Sequence, residues 1–234
     1  MYTKDIVDRA RIVLNDADGI RWLDAEMLKW INDGQRVIAL VRPDSCVENA
    51  SLALAAGTKQ ALPEDGLRLL DVVRNLTAAG AGARAVRHVD RDVLDTQNPD
   101  WHSETGSSTI KNFIYDNRDP KTFYVYPPAE ALTKVEIVYS KNPTDVTAVA
   151  STGSEALISV ADIYADPLLN YVLHRAYSKD AEFAQNFQLS ANYLAIFQAM
   201  LGIKTSKDAA YSPDMNSKGR TNLPNPASLQ MGGV

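Results

Sequence analysis

The eight residues Thr133–Ser140, TKVEIVYS, alternate strictly: Val135, Ile137 and Tyr139 point one way and Lys134, Glu136 and Ser140 the other. That period of two is a half-buried β-strand. Close by upstream lie KTFYVYPP (121–128) and STIKNFIYD (108–116), separated by the turn-forming DNRDP of Asp116–Pro120. Further upstream, ARAVRHV alternates loosely, LRLLDVVRNL suits a buried strand, and SLALAAGTKQALP reads as strand, glycine turn, strand. The spacing is too short for repeated helical crossovers, so residues 47 to 140 are expected to form an antiparallel β unit.

Outward from this unit the period changes to that of a helix. Ile6, Val7, Ala10, Val13 and Leu14 define one face of a helix over Thr3–Leu14, ended by NDADG (Asn15–Gly19). A second helix is expected from an N-cap at Asp24, with Glu26 in its first turn and a Leu23–Leu28 staple. Met27, Trp30, Ile31, Ile38 and Val41 form its stripe, Gly34 lies on it as a place for close helix contact, and Pro43 ends it. Beyond the polar stretch NPTDVTAVASTGSE, DPLLNYVLHRAYSKDAEF (166–183) opens with Asp166 as N-cap and Pro167 at the first helical position. Leu168, Leu169, Val172, Leu173 and Ala176 are its apolar stripe; Asn170, His174, Arg175, Ser178 and Lys179 lie off it. A turn near Asp180–Asn186 and a last helix ending at Leu201–Gly202 follow, with a face of Phe187, Ala191, Leu194 and Ile196. The alternative is one helix from Pro167 to Leu201, about 50 Å long.

The expected class is therefore α+β: a helical bundle from N- and C-terminal helices, an inserted antiparallel β unit and an extended C-terminal tail. The boundaries are 1–46 for the first helices, 47–160 for the β unit with long loops, 161–202 for the last helices and 203–234 for the tail. That tail is polar and rich in Pro and Gly, yet it carries spaced apolar anchors. It holds Lys204, Lys207, Lys218 and Arg220 against Asp208 and Asp214, a net +2, so the rest of the −5 chain carries −7. An acidic body argues against a dedicated nucleic-acid binder.

Chemical signatures are sparse. Cys46 is the single cysteine, so neither a disulfide framework nor a cysteine metal cluster is expected. The N-terminal MYTKDIVDRARIV lacks the apolar core of a secretory signal, and no apolar run would span a bilayer. His88, His102 and His174 form no zinc pattern, and Arg11 and Val13 break any EF-hand reading of NDADG. Trp101 and His102, flanked by Asp100 and Glu104, are raw material for a hydrolase site, but no G-x-S-x-G elbow accompanies them. A loop anchored by a buried Trp101 is the simpler reading. VYPP reads as a strand end before a polyproline ligand. No Walker or dinucleotide glycine pattern is present and no cofactor is expected. The residues thus point to an interaction or assembly protein.

In their order, WLDAEMLKWINDGQRVIALVRPDS, GTKQALP, NPDWHSE, FYVYPP and DPLLNYVLHRAYSKDAEF resemble the head-to-tail adaptor (connector) proteins of tailed bacteriophages, especially short-tailed ones, over Thr3–Gly202. The resemblance implies a non-enzymatic structural protein of the virion, made in the host cytoplasm. It implies a homo-oligomeric ring of about twelve copies between the portal and the tail nozzle, closed by heterologous contacts. Such a ring seals the channel after packaging, and DNA passes without specific binding. Helices would meet the portal and β loops the next tail component. In the tail, Tyr211, Met215, Arg220, Leu223, Pro224, Leu229 and Met231 are the candidate portal contacts. The rivals are another neck or tail-completion protein, a hydrolase around His102, and a monomeric peptide-binding module.

Overall fold

The computed structural model describes residues 1–179 and 184–211. Its order is α1 (Thr3–Leu14), α2 (Asp24–Val41), β1 (Val47–Ala53), β2 (Gly57–Ala61), β3 (Gly66–Leu76), β4 (Gly82–Ala85), β5 (Arg87–His88), α3 (Arg91–Gln97), β6 (Asn112–Tyr115), β7 (Thr122–Ala129), β8 (Lys134–Lys141), α4 (Ala165–Lys179) and α5 (Ala184–Tyr211). Helices and sheets coexist in one chain, as the change of period predicts.

The strands form two sheets, in the orders β1-β8-β3-β4 and β2-β7-β6-β5. β1 and β2 are neighbours in the chain but belong to different sheets. Alternation decides what each face buries. Val135, Ile137 and Tyr139 on β8 meet Phe113, Phe123 and Val125 of the other sheet in one core. The intervening Ile114, Tyr124 and Tyr126 face outward, onto Leu94 of α3 and Trp101. The β unit is not wholly antiparallel: β5 pairs with β6 in parallel, through Arg87–Asn112 and His88–Phe113. α3 and the loop after it lie between these strands, a connection long enough for a parallel crossover. VYPP lies inside β7, where the β2–β7 register shifts between Gly57 and Lys59, so the prolines occupy an interruption of the ladder.

A second core joins the two ends of the chain. Ile6, Val7 and Ala10 of α1, Met27, Ile31 and Ile38 of α2, Leu168, Val172 and Ala176 of α4, and Phe197 and Leu201 of α5 share it. Gly34 is the close contact point expected from its place on the stripe. A Cβ there would lie 2.5 Å from Leu168 Cδ1 and 2.9 Å from Tyr171 Cδ1.

Helix ends depart from the expected caps. Asp24 and Asp166 are already helical, and their carboxylates accept from Arg11 and Arg9, each at 2.5 Å. The residue before α2 is Leu23, which is exposed and offers no side-chain cap. Pro167 is third in α4, where its missing N–H would in any case lack an intrahelical partner. α4 and α5 are separate antiparallel helices: Asn170 reaches Met200, His174 meets Ser190, and Tyr177 stacks on Tyr193. The last helix does not stop at Leu201–Gly202. It continues to Tyr211, because one glycine costs only about 1 kcal/mol and the next nine residues include good helix formers such as Lys and Ala. The stretch from Ile203 to Tyr211, expected as tail, is therefore helical.

Candidate functional site

The groups with chemical potential are engaged in structure. Trp101 is buried; its Nε1 donates to Asp95 Oδ1 at 2.8 Å and its ring stacks on His102 at 3.6 Å between centroids. The indole N–H is the main reason the Asp95 carboxyl is held below its ordinary range. His102 Nδ1 is 2.9 Å from Thr58 Oγ1, and Glu104 accepts from Asn98. This is the anchored loop, with the imidazole bonded to a threonine on the adjoining strand. The three histidines lie apart, His88 against Phe113 and His174 against Ser190, and the described residues contain no group of side chains suited to a metal. In NDADG, Asp16 receives the backbone N–H groups of Ile20, Arg21 and Trp22 at 3.0, 3.3 and 3.0 Å. The bond from Trp22 leads in holding its carboxyl below the usual range. That turn redirects the chain from α1 into α2. No described helix is long and apolar enough to cross a membrane.

What remains is surface. β8 runs from Lys141, whose N–H bonds Cys46 O beneath α2, to Lys134, paired with Leu76 and Ala53. At about 3.3 Å per residue its far end lies roughly 23 Å from the helices. There the β3–β4 hairpin and the 130–133 turn frame a cleft of about 390 Å³ lined by Thr77, Ala83, Thr109, Glu130 and Lys134. Leu132 at its rim is 77% exposed.

At the helical end, α5 has an unusual composition. From Ala184 to Gly202 it contains no charged residue. Ser190, Phe197 and Leu201 face inward; of the expected face, Phe187, Ala191 and Ile196 are exposed, as is Leu189, and Leu194 is half-buried. Of α4's off-stripe residues, Asn170 and His174 serve α5, and Arg175, Ser178 and Lys179 face solvent or the start of α2 through Lys179–Glu26. Among the candidate tail contacts, Tyr211 is the last residue of α5; Met215, Arg220, Leu223, Pro224, Leu229 and Met231 lie outside the described residues.

Three buried polar residues escaped the apolar-stripe reading. Asn32 grips the main chain of Val146, donating from Nδ2 to O at 3.0 Å and accepting from N at 2.9 Å. Gln35 Oε1 accepts the Ser159 N–H at 2.7 Å, and Thr3 Oγ1 donates to Ala148 O at 2.7 Å. Together they hold the returning segment 142–160 against α1 and α2. The signal was present: Gln35 shares the helix face of Ile31 and Ile38, where an apolar residue would be expected.

No curated protein matches the chain. The sequence model described as SU10 adaptor protein matches residues 1–218, which takes in both cores and the whole of α5. The chain therefore belongs to the SU10 adaptor protein family of phage head-to-tail adaptors.

Proposed function

We propose that the protein forms a ring of about twelve copies between portal and tail, matched subunit for subunit to the portal, and seals the DNA channel after packaging. In this reading the N- and C-terminal helices act as one bundle that holds the ring and meets the portal. The distal cleft and hairpin of the β unit meet the next tail component. The segment after Tyr211 reaches onto the portal through Met215, Arg220, Leu223, Pro224, Leu229 and Met231. DNA slides past a body of net acidic charge, which does not attract its phosphates.

Family membership over residues 1–218 carries the adaptor reading. The two-ended shape supports the division of labour, since a strand's length separates the helices from the distal turns. The test mixes the protein with the portal ring of its own genome and weighs the product by native mass spectrometry. The expected result is a discrete complex with one adaptor per portal subunit, weakened by deletion of residues 212–234. Failure to bind an intact portal ring would overturn the adaptor reading. A complex unaffected by the deletion would remove the docking tail alone.

A further inference from the structure

α5 is placed and composed as half of an interface. A surface helix normally turns charged residues to water. A stretch of nineteen residues at the chain's average charged fraction of 23% would carry about four; Ala184–Gly202 carries none. The flank and outer face of α5 away from Phe197 present Leu189 and Ile196 among Gln185, Asn192, Ala195 and Ala199. Burying it would desolvate no ion, which is the costly item in association.

The other half is on the same molecule. At the corner where α1 turns into α2, Ile12 and Ile20 are each 79% exposed and Leu23 is 57% exposed. This corner and α5 are separate surfaces that meet α4 through different residues. Leu168 and Ala176 take Gly34 and Trp22 on one side of α4. Asn170, His174 and Tyr177 take α5 on the other. Tyr171, between these sets, lies against Gly34 and also meets the Phe197 ring at 5.3 Å between centroids, so α2 and α5 adjoin across it. Two different uncovered apolar surfaces on one chain suit a head-to-tail contact, which repeats and closes, rather than a two-fold dimer, which uses one surface twice.

We propose that the outer face of α5, centred on Leu189 and Ile196, docks on the Ile12–Ile20 corner of a second copy of this chain. This contact rests on the ring assembly proposed above and names the surfaces that make it. The turn at Asp16 presents the corner, and α4 acts as a rigid spacer that transmits position from one neighbour to the next.

The test uses two full-length variants, Leu189→Glu/Ile196→Glu and Ile12→Glu/Ile20→Glu. All four side chains are exposed, so each variant is expected to keep the wild-type circular dichroism and melting temperature. Each alone is expected to lose self-association by about a hundredfold or more and to fill the portal ring incompletely. Mixed, they share one intact pairing, so the expected product is a 1:1 heterodimer that grows no further. Dimers of the Ile12→Glu/Ile20→Glu variant alone would overturn the head-to-tail assignment in favour of an α5–α5 contact. Complete rings from either variant alone would overturn both surfaces while leaving the adaptor reading intact. Wild-type protein that neither self-associates nor binds the portal would instead overturn the adaptor reading, and the proposed contact with it.

Discussion

Replacing Asn32 by alanine should loosen the segment that ties the β unit back to the helices. The Asn32 side chain satisfies both backbone groups of Val146 at 2.9 and 3.0 Å, in a buried setting, and also accepts from Gln35 Nε2 at 3.3 Å. Alanine removes all three bonds and brings no replacement. Each buried backbone group left without a partner costs about 1–3 kcal/mol. Two such groups give about 2–6 kcal/mol, and entry of water into the vacated space brings the expected loss towards about 3 kcal/mol. Urea unfolding measures it as a lowered midpoint at an unchanged slope. Amide exchange at Val146 and Ser159 should accelerate more than exchange in β8, because the segment opens before the sheets do. A loss below about 1 kcal/mol, or unchanged exchange at Val146, would refute the claim that Asn32 holds the returning chain.

Trp101→Ala should cost about 3–5 kcal/mol in urea unfolding, since the ring is buried against Tyr124 and Tyr126. Gly34→Val should destabilise by about 1–3 kcal/mol or more, because Leu168 is buried and cannot withdraw. The Asp116 carboxyl, bonded chiefly by the Arg118 guanidinium, should titrate at about 2 by NMR, and Arg118→Ala should return it towards the ordinary value of about 4. Because the folded pKa is depressed, the stabilisation it brings is complete above about pH 4 and disappears as pH falls through about 2. His102→Ala should leave portal-complex formation intact and alter only the stability of the Trp101 loop, read by tryptophan fluorescence.

Legibility in the sequence followed the range of the interactions. α1 begins and ends where its periodicity places it, and Val135, Ile137 and Tyr139 face the core as their alternation requires. These features depend on neighbours in the chain. Strand partners do not: nothing in SLALAAGTKQALP shows that β1 joins β8 while β2 joins β7. Nor does ARAVRHV reveal that its last residues pair in parallel with β6. Asp24 and Asp166 have N-cap chemistry, but arginines on α1 draw their carboxylates into ion pairs one residue or more inside the helices. The end of α5 was misplaced because Gly202 reads as a stop, although its cost is small against the propensity of the residues that follow. For the candidate site, the sequence displays the uncharged run 184–202, but only the packing on α4 tells which of its faces is left uncovered.

The order of strands also governs when the molecule can exist at all. β1 pairs with residues 134–140, Val47 with Ser140, and Arg9 meets Asp166 across 157 positions. During synthesis, neither core can close until most of the chain has left the ribosome. Folding is correspondingly slow for a protein with so much helix, because distant segments must meet before either core rewards them. The same delay acts as a quality gate. The helical core takes residues from α1 and α2 and from α4 and α5, so a product truncated before α4 lacks half of it and cannot pass for the finished fold.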